Sequence, residues 1–392
     1  MKTESLLSPE TWLAGRAVAS GARSTAPPIE LGTAQLFGSL EEGRQVLTVA
    51  PGENQAYRRH GNATVHLLEQ SFSRIEQDAK CLAVGSGMSA CLLVFSALLR
   101  SGDHVILLRS SFYEIGEQLQ HMEASVGIMV SRVPGASLAA IIAAIEPHTR
   151  MIFVETPTNP TLATLNLRAL VGECRSRGIL LVVDNTMLTP LGQDVLGLGA
   201  DISVYSLSKH INGHGDVVGG MVCTHDAALY KVLAGWRACS GMILDPFNAW
   251  LTLRGMRSLG IRLLRHADNA SRVAMMLSKC HPWLAWSAVW SGPDAGANGI
   301  DPTCHTGMMA LHFDTASQAA CFVDALQWIS IGPTFGNLES LVYHYGGIHR
   351  GPDDDLAQIE IHPGLVRLSV GIEGAPDLIA DIDQALHCSR DR

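Results

Sequence analysis

Five consecutive apolar residues, Ile179-Leu180-Leu181-Val182-Val183, run directly into an acid, Asp184. A run this short and this apolar reads as a buried strand. The same form recurs in Met151-Ile152-Phe153-Val154, which ends in Glu155, and in Ile202-Ser203-Val204-Tyr205. Helical patterns lie between these runs. Asn166 can cap a helix whose apolar stripe is Leu167, Leu170, Val171 and Cys174, and Gly178 can end it. Another helix begins near Ser137, runs through Leu138, Ile141, Ile142 and Ile145, and stops before Pro147. This alternation extends from about residue 60 to residue 245, and it is the pattern of a parallel sheet wrapped by helices. The fold class is therefore α/β, and Asp184 falls at the carboxyl end of a parallel strand, the edge where ligands of open α/β sheets bind.

Outside that stretch the texture changes. Residues 1–60 carry Pro, Gly and polar turns with few periodic runs, which predicts an extended N-terminal arm. Residues 61–245 form the sheet domain. From 246 to 392 a long helical stretch through Arg254 and Leu263 leads into a smaller C-terminal α+β domain. A chain of 392 residues can bury both cores. The net charge of −9 supplies no basic footprint for nucleic acid. No apolar stretch reaches the roughly 18 residues of a membrane span. The first residues lack a charged-then-apolar leader pattern. Nine cysteines without C-x-x-C spacing, several in apolar runs as Cys81 and Cys91 are, predict reduced and mostly buried thiols in a cytoplasmic protein.

The chemistry concentrates around Lys209. It follows the strand at 202–205, with Ser206 and Ser208 before it and the Gly-rich turn Asn212-Gly213-His214-Gly215 after it. A buried amine with a lowered pKa is what a Schiff base needs, and the flanking hydroxyls can hold a phosphate. These features point to a lysine bound covalently to pyridoxal phosphate (PLP). Asp184 can pair with the pyridinium nitrogen and keep it protonated. Asn159, in the loop after the strand ending at Glu155, can hydrogen-bond the phenolic oxygen. Val84-Gly85-Ser86-Gly87-Met88 is a strand-to-helix turn of small residues. Taken alone it is an ordinary βα turn; with Ser206 and Ser208 it reads as a phosphate cup at a helix N-terminus. Arg367, set among Leu365, Val366 and Leu368, calls for an anionic partner, and an amino-acid carboxylate suits its bidentate fork.

Other patterns carry less. His210 and His214 have i,i+4 spacing but no adjacent Glu of the zinc-protease kind. They read as site-wall or structural residues. His344 and His349, five apart, do not share a helical face. No metal site, Walker A loop or dinucleotide fingerprint is predicted.

The motifs occur in an order that resembles the cystathionine γ-synthase/cystathionine β-lyase/methionine γ-lyase family of fold-type I PLP enzymes. They are Tyr57-Arg58-Arg59-His60-Gly61-Asn62-Ala63-Thr64, Ser86-Gly87-Met88, Glu155-Thr156-Pro157-Thr158-Asn159-Pro160, Asp184-Asn185-Thr186, the Lys209 block, Leu253-Arg254-Gly255 and Val366-Arg367-Leu368-Ser369. The resemblance implies a large PLP domain and a smaller C-terminal domain. It implies that Gly87, Met88, Ser206 and Ser208 hold the phosphate, joined by Tyr57 and Arg59 from a neighbouring subunit. Asn159, Asp184 and Thr186 then contact the ring, and Tyr113 stacks on it and takes part in proton transfer. Lys209 is the catalytic amine; Thr334 and Arg367 bind the substrate carboxylate. A homotetramer built from dimers with shared sites follows from the same resemblance, with an amino acid as substrate.

The expected activity is γ-elimination or γ-replacement on a homoserine-derived or similarly γ-activated amino acid. The alternative is a cystathionine β-lyase-type C–S lyase, which Arg58-Arg59 and Tyr113-Glu114 resemble in part. A non-catalytic PLP-binding protein is a third reading, against which Lys209, Asp184 and Arg367 all speak. The chain departs from the family in its substrate region. Members carry Ser-Leu-Gly or Ser-Trp-Gly where this chain has Thr334-Phe335-Gly336 after Pro333. Ile115 stands where methionine γ-lyases have a reactive Cys, and the segment from Trp290 to Gly307 is shorter than usual. A nonstandard substrate is the expectation.

Overall fold

A computed structural model describes residues 8–14, 25–49, 56–288, 306–348, 356 and 360–390. The large sheet has seven strands: β1 (Lys80–Val84), β2 (His104–Leu108), β3 (Met129–Val133), β4 (Thr149–Glu155), β5 (Leu180–Asp184), β6 (Ile202–Ser206) and β7 (Gly220–Thr224). Their order is β1-β7-β6-β5-β4-β2-β3. Only β7 runs against its neighbours. The carboxyl ends of the other strands therefore share one edge, and Glu155, Asp184 and Ser206 all end there.

Strand alternation sends successive side chains to opposite faces, and here both faces are covered. Ile106, Ile152, Val154, Leu181 and Val183 enter one core with Leu170 and Cys174 of the helix Leu167–Arg177. Val105, Met151, Phe153 and Val182 enter the other, with Leu93 and Phe95 of the helix Gly87–Leu98. A parallel sheet needs both covers, because its strands are apolar on each side.

The second sheet has five strands: β8 (Ala285–Ala288), β9 (Met308–His312), β10 (Ser330–Ile331), β11 (Leu341–His344) and β12 (Leu365–Ser369), in the order β10-β11-β12-β9-β8. One face packs on the helices Leu259–Cys280 and Ala375–Arg390 through Met309, Leu311, Val366 and Leu368. On the other side Met308, Ala310 and Leu365 meet Leu162, Met187 and Leu188 from loops of the large sheet. The seam between the two sheets is thus itself a small apolar core.

Local signals read from the sequence hold in detail at Asn166, whose side chain accepts from the Ala169 amide, and at Gly178, which ends that helix with φ 67°. Four expectations need correction. The helix begun by Ser137 stops at Ala143, not Ile145, because Glu146 and Thr149 close a turn across Pro147. The long stretch after residue 246 is two helices, Pro246–Met256 and Leu259–Cys280. Arg262 bonds the Gly255 carbonyl at 3.0 Å and so satisfies the end of the first. The arm contains the helices Pro9–Ala14 and Leu40–Leu47. Of the eight described cysteines four are buried, one intermediate and three exposed, so burial is not the majority state among those described. The Trp290–Gly307 segment and His349 lie outside the described residues, apart from Thr306 and Gly307.

Behind β6 lies a buried polar network. Glu76 accepts from Ser203 Oγ at 2.6 Å and from the Tyr205 hydroxyl at 2.7 and 2.8 Å, and Asn185 Nδ2 donates to that hydroxyl at 3.2 Å. Burial lifts the Glu76 carboxyl from 4.5 to about 7, against the pull of the two hydroxyls. The folded chain holds a proton that the unfolded chain has released, so this group costs stability as pH rises from 4.5 to 7. We expect Glu76→Gln to become more stable relative to the wild type as pH rises from 4 to 8, by on the order of 3 kcal/mol. Chemical denaturation across pH checks this; a difference that does not change with pH would refute it.

Candidate active site

The residues singled out around Lys209 fall into two connected chains that meet at the segment 206–209. The first runs along the strand ends. Asp184 Oδ1 accepts from the Thr186 amide at 2.9 Å, and Thr186 Oγ1 accepts from the Ser206 amide at 2.8 Å. Ser206 lies against Gly87 so closely that a Cβ at Gly87 would stand 2.9 Å from the Ser206 Cβ. Gly220 is constrained in the same way, since its Cβ would fall 2.1 Å from the Ser86 carbonyl. Ser86 caps the helix Gly87–Leu98, accepting from Ser89. Ser208 Oγ accepts from the Gly219 amide at 3.2 Å. A helix N-terminus with small residues and hydroxyls around it is an anion cradle.

The second chain crosses to the smaller sheet. Lys209 Nζ donates to Thr334 Oγ1 at 2.9 Å and lies 5.0 Å from the centre of the Phe335 ring. Arg367, on β12, donates to the Thr334 carbonyl and to Asn159 Oδ1, each at 2.9 Å. It also lies 3.1 Å from the Tyr345 hydroxyl. The rings of Phe335, Tyr343 and Tyr345 stand 5.4 to 5.9 Å from its guanidinium carbon. Arg367 is buried, and among the described residues it makes no ion pair. Among the described residues its hydrogen bonds go to uncharged groups and its faces to aromatic rings.

Burial, and then the Arg367 charge, bring the Lys209 amine down from 10.5 to about 8, with Glu114 pulling the other way. Glu155 and Asp184 are cross-strand partners. Burial first, and then the neighbouring Asp184, push Glu155 well above the usual carboxyl range. Burial raises Asp184 too, but the Thr186 hydroxyl and amide oppose the rise. Burial thus pushes both carboxyls of the pair upward, that of Glu155 well above its usual range. Glu155 Oε2 accepts from the Phe112 amide at 2.9 Å, which fixes the residue before Tyr113.

Tyr113 opens the helix Tyr113–Val126, half exposed, with its hydroxyl 3.2 Å from Glu114 Oε1. Gln118 of that helix donates to the Met88 carbonyl at 3.0 Å, tying it to the Ser86–Met88 turn. Tyr57 and Arg59 stand apart. Arg59 donates to the Ala238 carbonyl at 2.8 Å and stacks over Tyr57, so their contacts within the chain do not lead to Lys209. His210 is buried between His266 and Phe335, and His214 bonds the Asn212 carbonyl.

Sequence reasoning gave no role to Glu155, Tyr343 or Tyr345. Glu155 carried the same strand-end signal as Asp184. The tyrosines sit on or just after β11, with Tyr343 directly opposite Arg367 in register. That pairing joins residues 24 positions apart, too distant for any local pattern to reveal.

Because Arg367 contributes to the depressed lysine, Arg367→Met should raise the Lys209 titration. We expect Lys209 in the ligand-free chain to titrate near 8. Reductive ¹³C-methylation followed by NMR would detect this; a titration in the exposed-lysine range, unmoved by Arg367→Met, would contradict it.

Comparison with known proteins places this geometry. Residues 12–387 match the family described as Cys/Met metabolism PLP-dependent enzyme. The L-methionine γ-lyase of Pseudomonas deceptionensis is 34% identical over 370 residues, covering 92% of each chain. The cystathionine γ-synthase of Mycobacterium bovis is 35% identical over 334 residues, covering 84% of this chain and 86% of the relative. In three dimensions, the crystal structure of cystathionine γ-synthase from Xanthomonas oryzae pv. oryzae, in complex with aminoacrylate and cysteine, superposes with a TM-score of 0.89 at 29% identity, covering 98% of this chain and 99% of that one. With a Lys, an Asp and an anion cradle gathered at the edge of a mainly parallel sheet, this chain belongs to the Cys/Met metabolism family of PLP-dependent enzymes and has their fold-type I architecture.

Proposed function

We propose that this enzyme carries out γ-elimination or γ-replacement on a γ-activated amino acid, homoserine-derived or similar, in the manner of a cystathionine γ-synthase. One observation carries the reading: Lys209, Thr334, Arg367 and Asn159 form an unbroken hydrogen-bonded chain, so the amine and a vacancy-free but anion-seeking guanidinium flank one substrate position.

The residues present fit PLP. The Gly87–Ser206 approach sets the N-terminus of the helix Gly87–Leu98 beside the Ser206 hydroxyl, which suits a phosphate. Lys209 is buried with a lowered pKa, and Asp184 ends its strand on the same edge. Gly87, Met88, Ser206 and Ser208 would hold the phosphate, and Asp184, with Thr186 behind it, the pyridinium nitrogen. Asn159 would serve the phenolic oxygen and Tyr113 the ring face. Bound PLP supplies an electron sink for charge left on Cα. Lys209 would take the α-proton, hand it back to the substrate–cofactor adduct, and, a free base again, take a β-proton, the second removal being required before a γ-substituent can leave. A buried amine whose pKa burial has lowered suits work as a base near neutral pH. Arg367 and Thr334 hold the substrate carboxylate. Tyr57 and Arg59 reach the phosphate of a neighbouring copy, in a homotetramer of dimers with shared sites, within the cytoplasm. The division into an arm, a PLP domain over 61–245 and a C-terminal domain belongs to the same reading.

Pro333 and the segment Thr334-Phe335-Gly336, the latter where the family carries Ser-Leu-Gly or Ser-Trp-Gly, support a substrate other than cystathionine. The β-lyase reading remains an outcome of the test, and the non-catalytic one is opposed by Lys209 and Arg367 at their stations. PLP-loaded protein given L-cystathionine, an O-acylhomoserine with and without a thiol, and a γ-halo amino acid should release 2-oxobutyrate or a γ-substituted product. Pyruvate with homocysteine would instead assign β-chemistry. Lys209→Ala should lose the visible absorbance of bound PLP and slow turnover by ~10²–10⁴-fold or more; retained activity would sink the mechanism. Tyr345→Phe should raise KM on the order of 10-fold while leaving kcat nearly unchanged, since it removes a hydroxyl that holds Arg367.

A further inference from the structure

We propose that His281, Asp383 and His387 form a binding site for a divalent transition ion of the Zn²⁺ class, which clamps the last two long helices of the chain together. Among the described residues these three side chains bring their ligand atoms within 4.8 Å of one another. His281 caps the end of the helix Leu259–Cys280, and its side chain is 2% exposed. Asp383 and His387 lie one turn apart on the helix Ala375–Arg390, where i,i+4 side chains share a face. His281 packs edge-on against Trp283 and His387, so its orientation is set before any ion arrives.

The distances suit a small ion. His281 Nε2 lies 2.7 Å from Asp383 Oδ1, and His387 Nε2 lies 3.9 Å from the same oxygen. An ion with tetrahedral bonds of ~2.0–2.2 Å holds its ligands roughly 3.3–3.6 Å apart. The two separations bracket that value, and rotation of the surface side chains brings both to it. Two imidazole nitrogens and one carboxylate oxygen select Zn²⁺, Co²⁺, Ni²⁺ or Cu²⁺ over Ca²⁺ and Mg²⁺, which take oxygen ligands. The Asp383 and His387 side chains are 39% and 66% exposed, which leaves a path for entry and room for water as the fourth ligand. A metal ion competes with protons for imidazole nitrogens and carboxylate oxygens, so affinity falls as pH drops. Because the ligands come from positions 281 and 383–387, the pattern is invisible to local spacing. None of the three takes part in the Lys209 cluster, so the ion's expected role is to stabilise the junction that Val273, Leu277, Leu378 and Ile382 pack beneath it.

The test uses the full PLP-loaded chain, stripped with a chelator and titrated with Zn²⁺ by calorimetry and with Co²⁺ by absorption. We expect one ion per chain, a rise in Tm, and weaker binding at low pH. His387→Ala, a change at an exposed position, and Asp383→Asn should each weaken binding at least tenfold and remove the Tm shift. Exposed Cys280 and Cys388 adjoin two of the ligands, so Cys280→Ser/Cys388→Ser is the control and should bind as the wild type does. Absence of stoichiometric binding, binding unchanged in His387→Ala, or binding lost only in the cysteine variant would each overturn the proposal.

Discussion

The Arg367 guanidinium is buried on β12 and held by the Asn159 amide oxygen, the Thr334 carbonyl and the Tyr345 hydroxyl. None of these carries a charge. A buried cation whose described hydrogen-bond partners are all uncharged is less stable than one met by an anion. That deficit is what a carboxylate at the proposed substrate position would relieve. It also ties the two sheets, since Asn159 comes from the loop after β4 and Thr334 and Tyr345 from around β11. The seam of Leu162, Met187, Leu188 and Phe335 holds the sheets at the distance these bonds need.

The opposite wall depends on smallness instead of charge. Gly87 and Gly220 let the turn after β1 approach the ends of β6 and β7 more closely than any side chain would allow. Behind that contact, Glu76 gathers Ser203 and Tyr205 of β6, and Tyr205 in turn meets Asn185 beside Asp184. The polar network is fully internal, so the strand that delivers Lys209 is fixed in register from below as well as by its neighbours.

How much of this was legible follows from range. Asp184 at a strand end, the Asn166 and Gly178 caps, and the Ser86–Met88 turn depend on neighbours a few positions away, and the structure has each of them. The ordered motifs added the family, which composition and periodicity alone would not have named. Tyr345 against Arg367 is different. One follows β11 and the other lies within β12, and nothing near either residue signals the meeting. The helix after Ser137 was overrun because periodicity continues through Ile145, which still packs on the core though the backbone has already turned. Tyr57 and Arg59 read as site residues by motif, whereas their contacts in one chain lead to Ala238. Geometry within a single copy gives no reason for their pattern.

The positive charge of Arg367 is one cause of the depressed Lys209 pKa. A carboxylate arriving at that guanidinium cancels part of the field at the amine. The Lys209 amine of the ligand-free chain would then become more basic. By linkage, the effect works in reverse: a protonated Lys209 favours an anion at Arg367 by the same free energy. The two ends of the hydrogen-bonded chain are thus coupled through space as well: an anion beside Arg367 and a proton on Lys209 would each favour the other.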